Sequence, residues 1–292
     1  MSFNMQGVGV ALITPFNSDK SLDFNALERL LDYQLENKTD YLVLMGTTAE
    51  AATLSPQEQQ EVVAHVKNYT AGKIPLVLGI GGNNTLQVAE LMKNADTNGI
   101  SAFLSASPAY NKPGQKGIYE HYAHLAKNSP LPIILYNVPG RTSSNIKART
   151  TLQLAQDFSN IIGIKEASGN LEQCMKIISE KPSHFELVSG DDLLTLPLVL
   201  LGAKGVISVI SNVLAERFNP MVKLALKGEI QGANELQYKL LGVFEDLNKE
   251  GNPAGVKAYL AQRKMIQENL RLPLTPVSKK LKEVIALRLK GL

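Results

Sequence analysis

The length of 292 residues suits either two small domains or one large single-core fold such as an α/β barrel. The formal charge of +3 is slight and spread along the chain, so the composition gives no reason to expect binding to nucleic acid or to an anionic membrane. The single cysteine cannot form an internal disulfide, and the lack of a signal pattern and of a membrane-spanning apolar run predicts a cytoplasmic enzyme.

Strand-like apolar runs alternate with helical patterns along most of the chain. Their starts are about 20–34 residues apart, which is the length of one strand plus one covering helix. Eight such units predict an α/β protein with a (β/α)8 TIM-barrel fold. The predicted strands are residues 8–13, 41–44, 75–80, 102–105, 133–136, 161–165, 185–189 and 206–209.

After the eighth predicted strand, the pattern contains helix signals only. From about residue 214 to the end, these signals are broken near residues 227–228, 251–253 and 272–276, which predicts an eighth barrel helix followed by about three appended helices. We therefore divide the chain into a catalytic barrel, residues 1–226, and a C-terminal helical extension, residues 227–292. The extension is assigned to packing or assembly rather than to chemistry.

The sixth predicted strand ends in Lys165. Its apolar run is typical of a strand buried on both faces, and lysine is rarely buried there unless another group pairs with it or uses it. Burial disfavours the ammonium form, and a neutral lysine amine is the nucleophile that Schiff-base formation with a carbonyl requires. On this segment alone, a lysine whose side chain reaches into solvent is an equally good interpretation.

The loops that follow the strands of a TIM barrel build its active site, so other strand ends supply further candidates. The turn Gly46-Thr47-Thr48-Ala49-Glu50 can cradle a carboxylate or phosphate with its backbone N–H groups, or be an ordinary threonine-capped turn. Tyr136 can transfer a proton, and Arg141 has the planar fork that matches a carboxylate. The alternative interpretations are that Tyr136 is a core residue with a satisfied hydroxyl group and that Arg141 is a surface residue.

The remaining strand ends present a tyrosine and backbone carbonyls. Tyr110 follows the fourth strand, Gly190 follows the seventh, and Ile207 lies in the eighth, where carbonyls can point into the barrel mouth. His121 and His124 lie three residues apart on a predicted helix with no third ligand nearby, which indicates a surface pair and no metal site.

Three strand-end motifs together carry a family resemblance: Gly46-Thr47-Thr48-Ala49-Glu50, residues 136–142 and residues 163–170. They closely resemble the dihydrodipicolinate synthase family, within the pyruvate-dependent class I aldolase and N-acetylneuraminate lyase superfamily. The likeness runs essentially end to end. One departure is Ala49, where the family usually has glycine, and alanine is costly there only if φ is positive.

The resemblance implies a condensation of pyruvate with L-aspartate 4-semialdehyde, the first committed step toward diaminopimelate and lysine, without an organic cofactor or metal. By that resemblance, Lys165 forms the Schiff base with pyruvate and Tyr136 is the acid and base. Thr47 connects Tyr136 to Tyr110, which enters from a neighbouring subunit. The family's usual assembly is a tetramer built from two dimers.

The resemblance also implies the substrate contacts. The backbone of Thr47 and Thr48 holds the pyruvate carboxylate, the Ile207 carbonyl borders the same site, and Gly190 lies beside it. Arg141 binds the carboxylate of the aldehyde substrate. The alternatives are another Schiff-base pyruvate lyase, such as N-acetylneuraminate lyase or a keto-deoxy sugar acid aldolase, and a non-catalytic barrel that binds a keto acid.

The resemblance also has an implication for inhibition by lysine. Lysine-sensitive relatives use an aromatic residue, an acidic residue and a histidine in a cleft between subunits. This chain has Ala109, Gln87 and Gln59 at the matching positions. We therefore expect weak inhibition by lysine or none.

Overall fold

Eight parallel strands close into a barrel in which each strand pairs with the next along the chain and the eighth pairs with the first. The computed structural model describes residues 3–292. The TIM-barrel prediction is confirmed, with observed strand bounds within a few residues of the predicted ones. The strands are β1 Gly7–Ala11, β2 Tyr41–Leu44, β3 Leu76–Gly79, β4 Ile100–Ala106, β5 Ile133–Asn137, β6 Ile161–Glu166, β7 Glu186–Ser189 and β8 Gly205–Ser208.

Helices connect and cover the strands. In chain order they are α1 Phe24–Glu36, α2 Pro56–Thr70, α3 Thr85–Asn94, α4 Gln115–Asn128, α5 Pro139–Thr142, α6 Ala148–Asp157, α7 Leu171–Glu180, α8 Thr195–Leu200, α9 Ser211–Leu226, α10 Ile230–Lys249, α11 Ala254–Gln262 and α12 Lys279–Lys290.

The last three helices form the predicted C-terminal extension. α9 is the eighth barrel helix, α10 packs along it, and α11 and α12 pack against α10. The division of the chain at residue 226 stays a prediction. The extension does not merely lie beside the barrel, because the end of α10 and the loop between α10 and α11 reach the carboxyl ends of the strands.

The strand alternation produces two cores. Side chains two residues apart point to the same face of a strand, so one set fills the barrel and the other packs against the helices. The interior set includes Tyr41, Val43, Val77, Leu104 and Val188, all less than a tenth exposed. This filled interior closes the barrel beneath its carboxyl-terminal mouth.

Two further expectations concern the surface. The prediction of a surface histidine pair is wrong for His121, which is only 4% exposed and contacts the Thr85 hydroxyl on α3 through Nδ1 at 2.8 Å. None of the helices within residues 3–292 has the length and apolarity needed to cross a membrane. The cytoplasmic location stays a prediction.

Candidate active site

A cavity of about 540 Å³ lies at the carboxyl ends of the strands. Its wall comes from strand ends, from the loops that follow them, and from the end of α10 with the loop that follows it. Six of the eight predicted site residues line it: Thr47, Thr48, Tyr136, Arg141, Lys165 and Gly190. Residues far apart in sequence therefore meet where a TIM barrel places its chemistry.

Lys165 is the reactive candidate in this cavity. It is 5% exposed, and its Nζ lies 4.4 Å from the centroid of the Tyr136 ring. The two residues are register partners on the paired strands β5 and β6. None of the ion pairs found among residues 3–292 includes Lys165, so no carboxylate occupies its amine. The lysine is thus buried and available, rather than extended into solvent.

A buried carboxylate fixes the two strands that carry this pair. Glu166 and Asn137 follow Lys165 and Tyr136 and therefore point to the opposite face of the sheet. Glu166 is 2% exposed, and both of its oxygens accept from Asn137 Nδ2 at 3.0 Å. Gln173 Nε2 and the Ser168 N–H also donate to it, each at 2.8 Å. Several donors satisfy the charge without a cation, so the tips of β5 and β6 are rigidly joined.

The threonine motif forms a short 3-10 turn over residues Thr47–Ala49. Thr48 is 3% exposed, and its Oγ1 accepts from Asn252 Nδ2 at 3.0 Å. Ala49 lies outside the left-handed region; in this turn that conformation belongs to Glu50, with φ of 55°. The replacement of the family's glycine by alanine therefore carries no backbone strain.

Two predicted site residues lie away from the cavity of their own chain. Tyr110 is 90% exposed on the loop between β4 and α4, and it is not part of the cavity wall. Ile207 is fully buried in the barrel interior, and Val209 lines the cavity beyond the end of its strand. The roles assigned to Tyr110 and Ile207 stay predictions.

The C-terminal extension contributes side chains that no sequence pattern indicated. Asn248 and Asn252 both line the cavity. The Asn252 carbonyl accepts from Nη2 of Arg141 at 3.4 Å, and its amide donates to Thr48, so one residue contacts both candidate carboxylate-binding groups. From the sequence alone, Gly251-Asn252-Pro253 indicated only a break between two helices.

Asp192 supplies an acidic group at the cavity wall. Its carboxylate accepts the N–H groups of Ile210 at 2.8 Å and Val209 at 3.0 Å, which joins the loop after β7 to the start of α9. Burial raises the pKa of this carboxyl group to about 6, although the two N–H groups favour its ionised form.

The fold and the cavity define a TIM-barrel protein with a buried lysine beside a tyrosine at the mouth of the barrel. The dihydrodipicolinate synthetase family model matches residues 4–291, and the chain belongs to that family. The protein is therefore an enzyme of the lyase type.

Individual relatives agree over nearly the whole chain. The 4-hydroxy-tetrahydrodipicolinate synthase of Parabacteroides distasonis is 49% identical over 97% of this chain and 96% of its own length. The crystal structure of dihydrodipicolinate synthase from Thermotoga maritima is 38% identical, with a TM-score of 0.95 and 98% coverage of both chains. A monomeric dihydrodipicolinate synthase variant is also 38% identical, with a TM-score of 0.95, and covers 98% of this chain and 96% of its own.

Proposed function

We propose that this enzyme is a 4-hydroxy-tetrahydrodipicolinate synthase, which condenses pyruvate with L-aspartate 4-semialdehyde through a Schiff base on Lys165. This is the first committed step toward diaminopimelate and lysine. The observation that carries the proposal is the Lys165 amine, buried over the Tyr136 ring in the cavity of a chain from this family.

The chemistry begins at the Lys165 amine. The amine attacks the keto carbon of pyruvate, and loss of water gives an imine whose protonated form withdraws electrons from the adjacent methyl group. That methyl group loses a proton to give an enamine, and the enamine carbon forms a bond to the aldehyde carbon of the second substrate. Its amino group then displaces Lys165 from the imine carbon, which closes the ring and frees the enzyme. The protonated imine on Lys165 is the electron sink, so the protein lysine serves in place of an organic cofactor or metal.

Proton transfers in these steps fall to Tyr136. Its hydroxyl-bearing ring stands beside the Lys165 amine, and imine formation requires the carbonyl oxygen of pyruvate to leave as water. Thr47 lines the same cavity. It connects Tyr136 to Tyr110, the second tyrosine of the proposed proton relay.

The two substrate carboxylates have separate binding groups. The backbone N–H groups of the Thr47 and Thr48 turn receive the pyruvate carboxylate, with Gly190 and the Ile207 carbonyl beside it. Arg141 is exposed at the cavity and binds the carboxylate of the aldehyde substrate through its planar fork.

The proposed assembly is a homo-oligomer in which Tyr110 completes the site of a neighbouring subunit, with a dimer of dimers as the full form. The exposure of Tyr110 supports this assembly, because its side chain is 90% exposed and does not line the cavity of its own chain. Co-expression of a Tyr110→Phe chain with a Lys165→Ala chain tests the arrangement, because only a mixed dimer has one site with both groups. Activity of the mixed dimer above that of either parent variant supports a role for Tyr110 in the neighbouring subunit's site. An absence of activity in isolated heterodimers contradicts that role.

A substrate comparison tests the reaction itself. Purified enzyme is assayed with pyruvate and L-aspartate 4-semialdehyde in a coupled assay, and separately with N-acetylneuraminate. We expect turnover of the first pair only, because Arg141 matches a carboxylate rather than sugar hydroxyls. Cleavage of N-acetylneuraminate with no condensation would replace the proposed reaction with that of a sugar-acid lyase.

A further inference from the structure

A fully buried ion pair lies directly behind the threonine turn. Nζ of Lys257, on α11, is 2.5 Å from Oε1 of Glu50, and both side chains are completely shielded from solvent. Removing two ions from water is costly, and close geometry with further hydrogen bonds is needed to offset that cost. The position of this pair, beneath a turn that lines the cavity, therefore requires an explanation.

Both members of the pair have further partners. Oε2 of Glu50 accepts the N–H of Arg271 at 3.1 Å. Nζ of Lys257 donates to the Asn269 carbonyl at 2.8 Å and lies 4.0 Å from the centroid of the Phe16 ring. The carboxylate is thus held by two separate segments of the C-terminal extension.

Glu50 connects this ion pair to the turn through its backbone. It has a left-handed conformation, with φ of 55°, which costs a residue with a side chain about 1 kcal/mol or more. Its N–H donates to the Thr47 carbonyl at 3.1 Å and so closes the 3-10 turn. A side chain fixed by Lys257 and Arg271 holds the backbone in this conformation.

The extension also contacts the turn from the cavity side, where Asn252 donates to Thr48 Oγ1. The turn is therefore held at both faces by one structural unit. We propose that Glu50 and Lys257 are positioning residues that hold the Thr47–Ala49 turn in the geometry that receives the pyruvate carboxylate. The inference rests on the proposed function for the identity of that ligand, but the anchoring itself can be measured without substrate.

The decisive variant is Glu50→Gln combined with Lys257→Met, because it removes both charges and leaves neither ion buried alone. The matched control is Asp246→Asn combined with Arg288→Gln. That ion pair joins α10 to α12 within the same extension and lies away from the cavity. Lys257→Arg is the second variant, since it keeps the charge while changing the geometry.

Hydrogen exchange provides the first measurement. We expect amides in residues 46–54 to exchange about tenfold faster or more in the Glu50→Gln/Lys257→Met enzyme, with residues 133–142 and 161–170 unchanged. The control pair should leave residues 46–54 at the wild-type rate. Equal acceleration in all three segments, or the same acceleration in the control, would overturn the proposal, because the pair would then contribute only to overall stability.

Pyruvate binding provides the second measurement. The pyruvate concentration for half-maximal borohydride trapping at Lys165 should rise about tenfold or more, while the trapped amount at saturation is unchanged. A wild-type pyruvate dependence in the variant would overturn the positioning role. If wild-type enzyme forms no adduct, the proposed function fails, and the exchange measurement alone decides whether the pair anchors the turn. If the double variant does not fold, both measurements are made on Lys257→Arg with the same outcomes.

Discussion

Gly190 and Lys165 lie so close together that a methyl group at position 190 has no room. A Cβ atom built on Gly190 would be 3.0 Å from both Cγ and Cε of Lys165 and 2.7 Å from Cβ of Ala167. The loop after β7 therefore passes directly against the lysine stem. This contact restricts the path of the side chain and directs its amine toward Tyr136.

Gly190→Ala should displace the Lys165 amine. We expect kcat/KM to fall about a hundredfold, because a misplacement near 1 Å is enough for such a loss. The unfolding free energy should decrease by about 1–3 kcal/mol from overpacking. Steady-state kinetics measure the change in kcat/KM, and urea unfolding measures the change in the unfolding free energy. The control is Gly114→Ala, where the new methyl group meets open space. Wild-type activity in Gly190→Ala would show that the close contact does not orient the lysine.

Glu166→Gln should weaken the connection between β5 and β6. The new amide group would face Asn137 Nδ2, Gln173 Nε2 and the Ser168 N–H, which are all donors. We expect the unfolding free energy to fall by about 2–4 kcal/mol, with a lower kcat, because Lys165 and Tyr136 lose their fixed separation. The control is Glu172→Gln, which removes an exposed carboxylate paired with Lys176 and should leave the unfolding free energy close to that of the wild-type enzyme. Equal losses in the two variants would contradict a special role for Glu166.

His121 should make the fold sensitive to mild acid. Burial lowers the pKa of this imidazole from 6.5 to about 4, with the nearby charge of His124 acting in the same direction. Between these values the unfolded chain takes up a proton that the folded chain does not. The contribution of His121 to the unfolding free energy should therefore decrease as the pH falls from 6.5 to 4, by about 3 kcal/mol, and level off below that. Asp192 acts in the opposite direction over part of this range, because its raised pKa lets the folded chain take up that proton before the unfolded chain does.

Urea unfolding across this pH range checks the effect. Between pH 6.5 and 4, the unfolding free energy of His121→Gln should fall by about 3 kcal/mol less than that of the wild-type enzyme, whereas His124→Gln, on the same helix, should follow the wild-type profile closely. Parallel profiles for the wild-type and His121→Gln enzymes would show that His121 makes no such contribution.

The sequence identified Lys165 and Tyr136 because both end apolar strands, and parallel strands in a barrel end at the same mouth. It did not indicate Asn252, whose contact with Thr48 spans 204 residues and depends on how α10 packs along α9. The burial of His121 likewise follows from the contact between α3 and α4 rather than from its own helix pattern. Local periodicity thus places strand ends, whereas contacts between distant segments determine which other side chains join them.

Lysine should inhibit this enzyme weakly or not at all. Ala109 provides no aromatic wall, Gln87 is a neutral group, and the Gln59 amide already donates to the Ala51 carbonyl at 3.0 Å. Hydrogen bonds to charged groups are worth about 1.5–3 kcal/mol, so these losses should weaken lysine binding about a hundredfold or more relative to sensitive enzymes.

A lysine titration at saturating pyruvate measures this, and Gln87→Glu combined with Ala109→Tyr should increase the sensitivity. Strong inhibition of the wild-type enzyme by submillimolar lysine would show that other residues bind the effector.

The central claim is that Lys165 forms a covalent imine with pyruvate. Enzyme is incubated with pyruvate and borohydride, digested, and mapped by peptide mass. Lys257 is an internal control, because it is also buried but its ammonium is paired with Glu50. The account predicts a reduced pyruvate adduct on the Lys165 peptide, none on the Lys257 peptide, and loss of activity in step with the modification. An unmodified Lys165 peptide from enzyme that condenses both substrates at full rate would contradict it.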